Sequence, residues 1–415
     1  MLPMKQTQKI ISTYTSDVSG VCSALYELGG MTVMHDASGC NSTYNTHDEP
    51  RWYDSESLVF VSGLTEIQAV TGDDEKLISD VTDAARELKP RFIAIAGSPI
   101  PMMTGCDIPA IAREIEARTG IPSFGFNTDG MHSYVVGAGE ALAAYLGRFV
   151  SNREKVCRGV NILGVTPVDF SVNGSVGSMK RFFSEGGFEV ISAVAMGSSP
   201  DEIARAASAE VNFVVSSVGL DAAELLFKRF GTPYVVGLPV GEFGKILLSE
   251  AEKALKTGES RIAFDFLNGA DSLNSRSVGS ENHADFCGSG VNIVSDNSEN
   301  YKDFLSANGK NDLFIIGESV TSRSLAAAIA LKYRLFARVI CPLERSKGLL
   351  SASDFALSDE EATENLLKTT ARAIIADPLY KPIIPENSRF YPLPHEGFSG
   401  RLFRKKIPDL IAREV

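Results

Sequence analysis

The sequence has no extended run of lysines or arginines, and its formal charge is −12 over 415 residues. A nucleic-acid groove or an anionic membrane surface is therefore not expected as its main partner. No stretch approaches the ~18 continuous apolar residues that would span a bilayer. The opening MLPMKQTQKIISTYTSD lacks an apolar core of signal-peptide length, so a cytoplasmic protein is expected. Cysteine pairs are missing too. Cys22, Cys40, Cys106, Cys157, Cys287 and Cys341 stand singly, with no CxxC. In a reducing compartment such residues serve as buried fillers, metal ligands or reactive thiols rather than as structural disulfides.

Several motifs are absent as well. A Walker A loop needs GxxxxGK followed by Ser or Thr; PVGEFGKI, around Gly241 to Ile246, lacks the first glycine and the hydroxyl. ATP hydrolysis by this chain is therefore not expected. There is no GxGxxG, and Gly137 and Gly139 fall in a helical stretch where close packing explains them. No HExxH zinc helix occurs, and GDDEK near Gly72 has the wrong spacing for a calcium loop.

What is present is alternation of strand and helix. A chain of this length exceeds what one core usually organises. RFIAIAGS (Arg91–Ser98) reads as a buried parallel strand, Cys106 to Arg118 as a helix, Ile121 to Asn127 as a strand and Met131 to Val150 as a long helix. Asp74 to Leu88 is a helix with acidic residues in its first turn, where the dipole favours them. From Gly159 the pattern continues through GVNILGV, Ser175 to Ser184, FEVISAVAM, SPDEIARAASA, NFVVSSV, DAAELLFKRFG, PYVVGLP and GEFGKILLSEAEKAL. After a looser stretch rich in Ser, Asn, Gly and Asp come DLFIIGES, a helix through Ser324 to Tyr333, FARVICPL, a helix near Glu361 to Thr369, ARAIIADP and SRFYPLPH.

The expected fold is α/β: three Rossmann-like domains with parallel sheets flanked by helices. The expected boundaries are 1–155, 156–258, a connecting segment 259–311, and 312–415. Open α/β sheets bind ligands beyond the carboxyl ends of their strands. The loops of interest then follow Ser98, Asn127, Thr166, Ser216, Gly237, Gly317 and Pro394.

The informative stretch runs from Met34 to Leu77: MHDASGC, a polar and aromatic segment with Tyr44, His47, Trp52 and Tyr53, then VSGLTEIQAVTGDDEKL. Gly39-Cys40 puts a thiol at a tight turn, where backbone amides can point at a cluster sulfide. The ordered run is His35-x-x-x-Gly39-Cys40, Ser62-Gly-Leu-Thr65-Glu66, Gly72, Lys76-Leu77 and the turn Ser98-Pro99-Ile100. That run resembles nitrogenase component 1, the superfamily of nitrogenase α and β subunits, their cofactor-assembly scaffolds, and the dark-operative protochlorophyllide and chlorophyllide reductases. Weaker likeness extends through NFVVSSVGLDAAELLFKRFGTPYVVG, IIGESVTSRSLAAAIALKYRLFARVI, DPLYKPIIP and YPLPHEGFSGRLF.

The resemblance implies a role for particular residues. Cys40 matches the thiolate that binds an iron–sulfur cluster at a subunit interface. The family's upstream cluster cysteine falls near Thr15 or Ser16, and its third falls on Ser98, so two thiolates are missing where expected. Cys22 and Cys106 are the substitutes in reach, each equally readable as core packing. Cys106 would open the helix after the Ser98 turn, where the dipole lowers a thiol pKa. Ser98 is readable as an oxygen ligand or as a turn hydroxyl bonded to backbone. Fewer thiolates per chain suit a [4Fe–4S] cube shared between two subunits, since such a cube needs about four ligands.

The resemblance also bears on the active site. The family's cofactor cysteine falls on Ser216 and its histidine close to His395, which argues against an iron–molybdenum cofactor and against dinitrogen as substrate. His395 and His35 are the catalytic candidates, as proton donor or cluster-tuning group, against a plain hydrogen-bonding role. Cys341 is expected in the core. The implied partners are an identical or paralogous component 1 subunit, an ATP-dependent iron–sulfur reductase, and a small-molecule or tetrapyrrole-type substrate. A non-catalytic assembly scaffold and a cluster-free ligand-binding protein are the rival readings.

Overall fold

The computed structural model describes residues 9–10, 15–37, 39, 41, 44, 48–267, 313–344 and 347–411. Cys40, His47, Cys287 and most of the expected connecting segment lie outside the described residues.

The first unit comprises α1 (Asp17–Leu25), β1 (Met31–His35), β2 (Leu58–Val61), α2 (Glu66–Thr71), α3 (Asp74–Leu88), β3 (Ile93–Gly97), α4 (Pro99–Thr104), α5 (Ile108–Thr119), β4 (Ser123–Phe126) and α6 (Tyr134–Phe149). Its parallel sheet has the order β2-β1-β3-β4. Side-chain alternation sorts the two covering layers. Met31 and Val33 join Ile93 and Ile95 against Leu77, Ile78 and Val81 of α3 and Ile108, Ile111 and Ile115 of α5. Met34, Ala94 and Ala96 face the opposite layer, which α1 and α6 build.

Small residues set the α1–α6 spacing. A Cβ added at Gly137 would run into the Asp17 carbonyl, and one at Gly20 into the Tyr134 carbonyl. The close-packing expectation for Gly137 therefore has a defined contact. α3 spans the expected residues, with Asp73 accepting from the Lys76 amide at its start. α6 begins three residues later than expected, because Ser133 is extended. The helix expected from Cys106 begins only at Ile108. Asp107 caps it through the Ala110 amide, leaving Cys106 outside.

The second unit holds β5 (Gly159–Leu163), α7 (Pro167–Phe170), α8 (Ser175–Glu185), β6 (Glu189–Val194), α9 (Pro200–Ile203), β7 (Val211–Val214), α10 (Leu220–Phe230), β8 (Tyr234–Val236), α11 (Phe243–Thr257) and β9 (Arg261–Ile262). Its sheet order is β6-β5-β7-β8-β9, all parallel. SPDEIARAASA does not make one helix. α9 ends at Ile203 and a 3-10 turn, Ala206–Ser208, buries its small side chains instead.

The third unit holds β10 (Leu313–Ile316), α12 (Ser319–Tyr333), β11 (Ala337–Cys341), β12 (Phe355–Ala356), α13 (Glu360–Thr370), β13 (Ala373–Ala376), β14 (Arg389–Pro392) and α14 (Glu396–Ser399). Its parallel sheet runs β12-β11-β10-β13-β14. Cys341 is buried in its core, as expected from the sequence. Among the described residues no helix is long and apolar enough to cross a membrane.

Candidate functional site

Two polar clusters form at strand carboxyl ends. The first lies where β1, β2 and β3 finish. His35 shares the Met31–Val33 face, and lines a cavity of about 80 Å³ with Leu64, Gln68, Asp74, Thr104 and Cys106. Its Nδ1 is 2.9 Å from Ser62 Oγ, and burial holds its pKa below the ordinary histidine range. The next residue, Asp36, is buried. Its carboxylate accepts from Ser98 Oγ at 2.8 Å and from Asn41 Nδ2 at 3.0 Å, and its carbonyl accepts from the Leu64 amide at 2.8 Å. The Ser98 hydroxyl thus bonds a carboxylate from another strand rather than its own turn. Sequence reasoning passed over Asp36 inside MHDASGC; its place directly after a strand was the available signal.

The cysteine candidates do not gather there. Cys40 lies outside the described residues. Cys22 sits on α1, wholly buried in the layer packed on α6, and burial with the nearby Glu49 carboxylate pushes its thiol well above the ordinary range. Cys106 is half-buried, with its Sγ 3.6 Å from Asp74 Oδ1. The expectation of a lowered Cys106 pKa is overturned. Burial first, and then the Asp74 carboxylate, push the thiol up to about 12, and the residue stands before the helix cap.

The second cluster joins all three units. Asp169, after β5, is its hub. Its Oδ2 accepts from Thr166 Oγ1 at 2.7 Å and from Ser216 Oγ at 2.9 Å, and its Oδ1 accepts from Tyr134 Oη at 2.5 Å. His395, after β14, places Nε2 3.6 Å from Asp169 Oδ1. Its Nδ1 accepts from the Gly397 amide at 3.0 Å and so caps α14. That bond assigns the neutral ring's proton to Nε2, which points at Asp169. Burial and the Asp169 carboxylate hold the Tyr134 phenol well above its ordinary pKa.

Around the hub, Glu318 after β10 accepts from the Ser217 amide at 3.0 Å. Asp377 after β13 accepts from the His395 amide at 2.7 Å and from Ser399 Oγ at 2.8 Å. The sequence singled out Ser216 and His395; the structure brings them together through Asp169. Asp169 and Tyr134 were missed. Asp169 follows Thr166, a loop position of interest, whereas Tyr134 reads simply as the start of a helix.

Comparison with known proteins follows the same lines. The chain is 28% identical over 182 residues to the nitrogenase iron-molybdenum cofactor biosynthesis protein NifE of Clostridium pasteurianum, covering 42% of this chain and 38% of the relative. It is 25% identical over 240 residues to a light-independent protochlorophyllide reductase subunit of Pelodictyon phaeoclathratiforme, covering 56% of this chain and 42% of the relative. These alignments thus span about two-fifths of the curated relatives' length. Among solved structures, one titled "Nitrogenase Cp1 at pH 5" matches with a TM-score of 0.54 and 17% identity, over 88% of this chain and 72% of that one. A likeness at that identity speaks for the fold. The family model "Nitrogenase component 1 type Oxidoreductase" matches residues 19–248, more than half of the chain. The chain belongs to the nitrogenase component 1 type oxidoreductase family.

Proposed function

We propose that this chain is the iron–sulfur subunit of a nitrogenase-like reductase. It takes electrons from an ATP-dependent, P-loop iron–sulfur protein and reduces a bound small molecule, of tetrapyrrole type or similar size, other than dinitrogen. A cytoplasmic setting belongs to the same reading. The observation that carries it is the convergence of His35, Asp36, Ser62 and Ser98 at the ends of β1, β2 and β3, its nearest member, Asp36, standing four residues before Cys40 in sequence.

The ligand set expected from the sequence does not fit whole. Among the described residues no three His, Cys, Asp or Glu side chains converge to hold a metal. Cys22 is walled into the core, and Cys106 is turned toward Asp74 with its proton held. A [4Fe–4S] cluster would rest on Cys40 here, with Asp36 and Ser98 as oxygen donors at the same strand ends. The remaining thiolates would come from a paralogous or identical component 1 subunit. With Nδ1 held by the Gly397 amide and Nε2 turned to Asp169, His395 acts in this reading through Asp169 rather than as a free donor.

Iron analysis with visible and EPR spectra of anaerobically purified protein, isolated with its partner subunit, tests the reading. Cys40→Ala should remove the iron, whereas Cys22→Ala and Cys106→Ser should keep it. Colourless, metal-free protein sinks the reductase and leaves a cluster-free binding protein. The biosynthetic role in the name of the Clostridium relative favours a second reading, a scaffold for metallocofactor assembly. Turnover with the cognate reductase separates the two, because a scaffold binds cluster without consuming substrate.

A further inference from the structure

The first unit holds a cavity of about 840 Å³ at the amino ends of β1 and β2, the end of the sheet away from His35 and Asp36. Gly29 and Gly30, which precede β1, and Leu58, which opens β2, help to line it. Neither glycine position accepts a side chain without strain. Gly29 stands at φ 75°, and a Cβ on Gly30 would strike the Phe92 ring. The turn of residues 51–55 brings the aromatic lining, and it is pinned at both ends. Buried Arg51 is ion-paired with Glu49 and Glu27, and Tyr26 Oη donates to the Ser55 carbonyl at 3.2 Å. The Asp54 and Ser55 amides donate back to the Arg51 carbonyl at 2.9 and 3.0 Å. Walls tied in this way stand before any ligand arrives, which lowers the cost of binding one.

The lining suits a positive charge. Trp52, half-buried against the core, and Tyr53, 84% exposed, supply aromatic rings. Asp54 and Glu56 supply exposed carboxylates that make no ion pair among the described residues. No lysine, arginine or histidine among those residues lines the cavity. Two arginines stand close by, and both are engaged elsewhere. Arg51 has its two glutamates, and Arg91, whose stem lies against Gly29, pairs with Asp201. Solvent screens an exposed carboxylate, so charge alone holds a cation weakly. An aromatic face adds attraction, and quaternary ammonium groups are the ligands that such faces recognise best.

We propose that this cavity binds a small organic cation, an alkylated ammonium carried on an apolar body. Trp52 and Tyr53 take the ammonium group, Asp54 and Glu56 provide its counter-charge, and Leu58 meets the apolar part. Phosphorylated and other anionic ligands face two uncompensated carboxylates and no cation, so the site selects against them. A neutral guest leaves both carboxylates unused, which makes the positive charge the selecting feature. The volume falls within the roughly 300–1,000 Å³ typical of small-molecule pockets. The site lies at the opposite strand ends from the proposed cluster and does not depend on iron being bound.

Trp52 is the one tryptophan of the sequence, so tryptophan emission reports on this cavity alone. The test titrates choline into the full chain and follows that emission and, in parallel, the heat of binding, with sodium chloride holding ionic strength constant. Both signals should change saturably. The uncharged carbon isostere of choline, 3,3-dimethylbutanol, should bind at least tenfold more weakly. Asp54→Asn combined with Glu56→Gln should weaken choline at least tenfold and leave the isostere unchanged, and Tyr53→Ala should weaken choline several-fold. Circular dichroism verifies that each variant folds. Folded protein that gives neither signal with choline overturns the proposal. Equal affinity for choline and its isostere also overturns it, as does choline binding that survives the double substitution. Should the protein prove iron-free yet bind choline as expected, the reductase reading fails and the cation site stands.

Discussion

His35 and Asp36 are neighbours in sequence with different surroundings, because a strand sends successive side chains to opposite faces. The imidazole sits against the α3–α5 layer with Asp74 and Cys106, while the carboxylate holds Ser98. Burial depresses the His35 pKa, so the unfolded chain binds that proton at a higher pH than the folded one. Stability present above the ordinary histidine pKa of about 6.5 is then lost as pH falls toward the folded value. Urea midpoints between pH 7.5 and 5 should decline for the wild type and decline less for His35→Gln. Parallel slopes would remove His35 from that role. At this scale the sequence offered Ser98 and His395 through their order along the chain. It concealed Asp36, Asp169 and Tyr134, whose roles depend on partners 62, 47 and 35 positions away.

Helices and strands differed in how plainly the sequence announced them. α3 carries an acidic first turn and an apolar stripe, and its ends fall where the pattern puts them. α1 carries neither. Its DVSGVCSAL is small and buried almost throughout, so it shows no polar face, and its contact with α6 is made by glycines. That contact explains why Cys22, a ligand candidate by sequence position, is core by geometry. Gly137→Ala should destabilise the protein by about 1–3 kcal/mol, the usual cost of overpacking, since the new methyl meets backbone that cannot step aside. The same change at Gly177, exposed on α8 with nothing near its would-be Cβ, should stabilise by about 0.5–1 kcal/mol. Chemical denaturation of the two variants side by side checks both signs. α9 failed to extend for a related reason: the alanines after Ile203 are wanted in the core more than in a helix.

Across the whole molecule, buried charge ties the units together. Arg51 reaches Glu49 at 2.6 Å, Glu27 at 2.9 Å and the Ser23 carbonyl at 2.6 Å. It also touches the carbonyl of Ala195 in the second unit, a residue held at φ 98°, where an alanine is strained. Arg404 of the third unit bonds both Glu396 and the Asp48 carbonyl. Arg51→Met should cost about 3–5 kcal/mol by stranding Glu49 without its counter-charge, and Arg51→Met with Glu49→Gln should recover part of that loss in urea titrations. None of this was legible beforehand, because an arginine in a polar loop reads as surface until a neighbouring unit closes over it.

One carboxylate at the meeting point, Asp169, takes a phenol from the first unit and hydroxyls from its own, and faces an imidazole from the third. A hinge that swings any unit outward must therefore pull a polar partner away from a buried carboxylate. Gradual breathing of this crevice is thereby discouraged, and a ligand or proton that satisfies Asp169 in their stead would act as the latch-release for the whole trio.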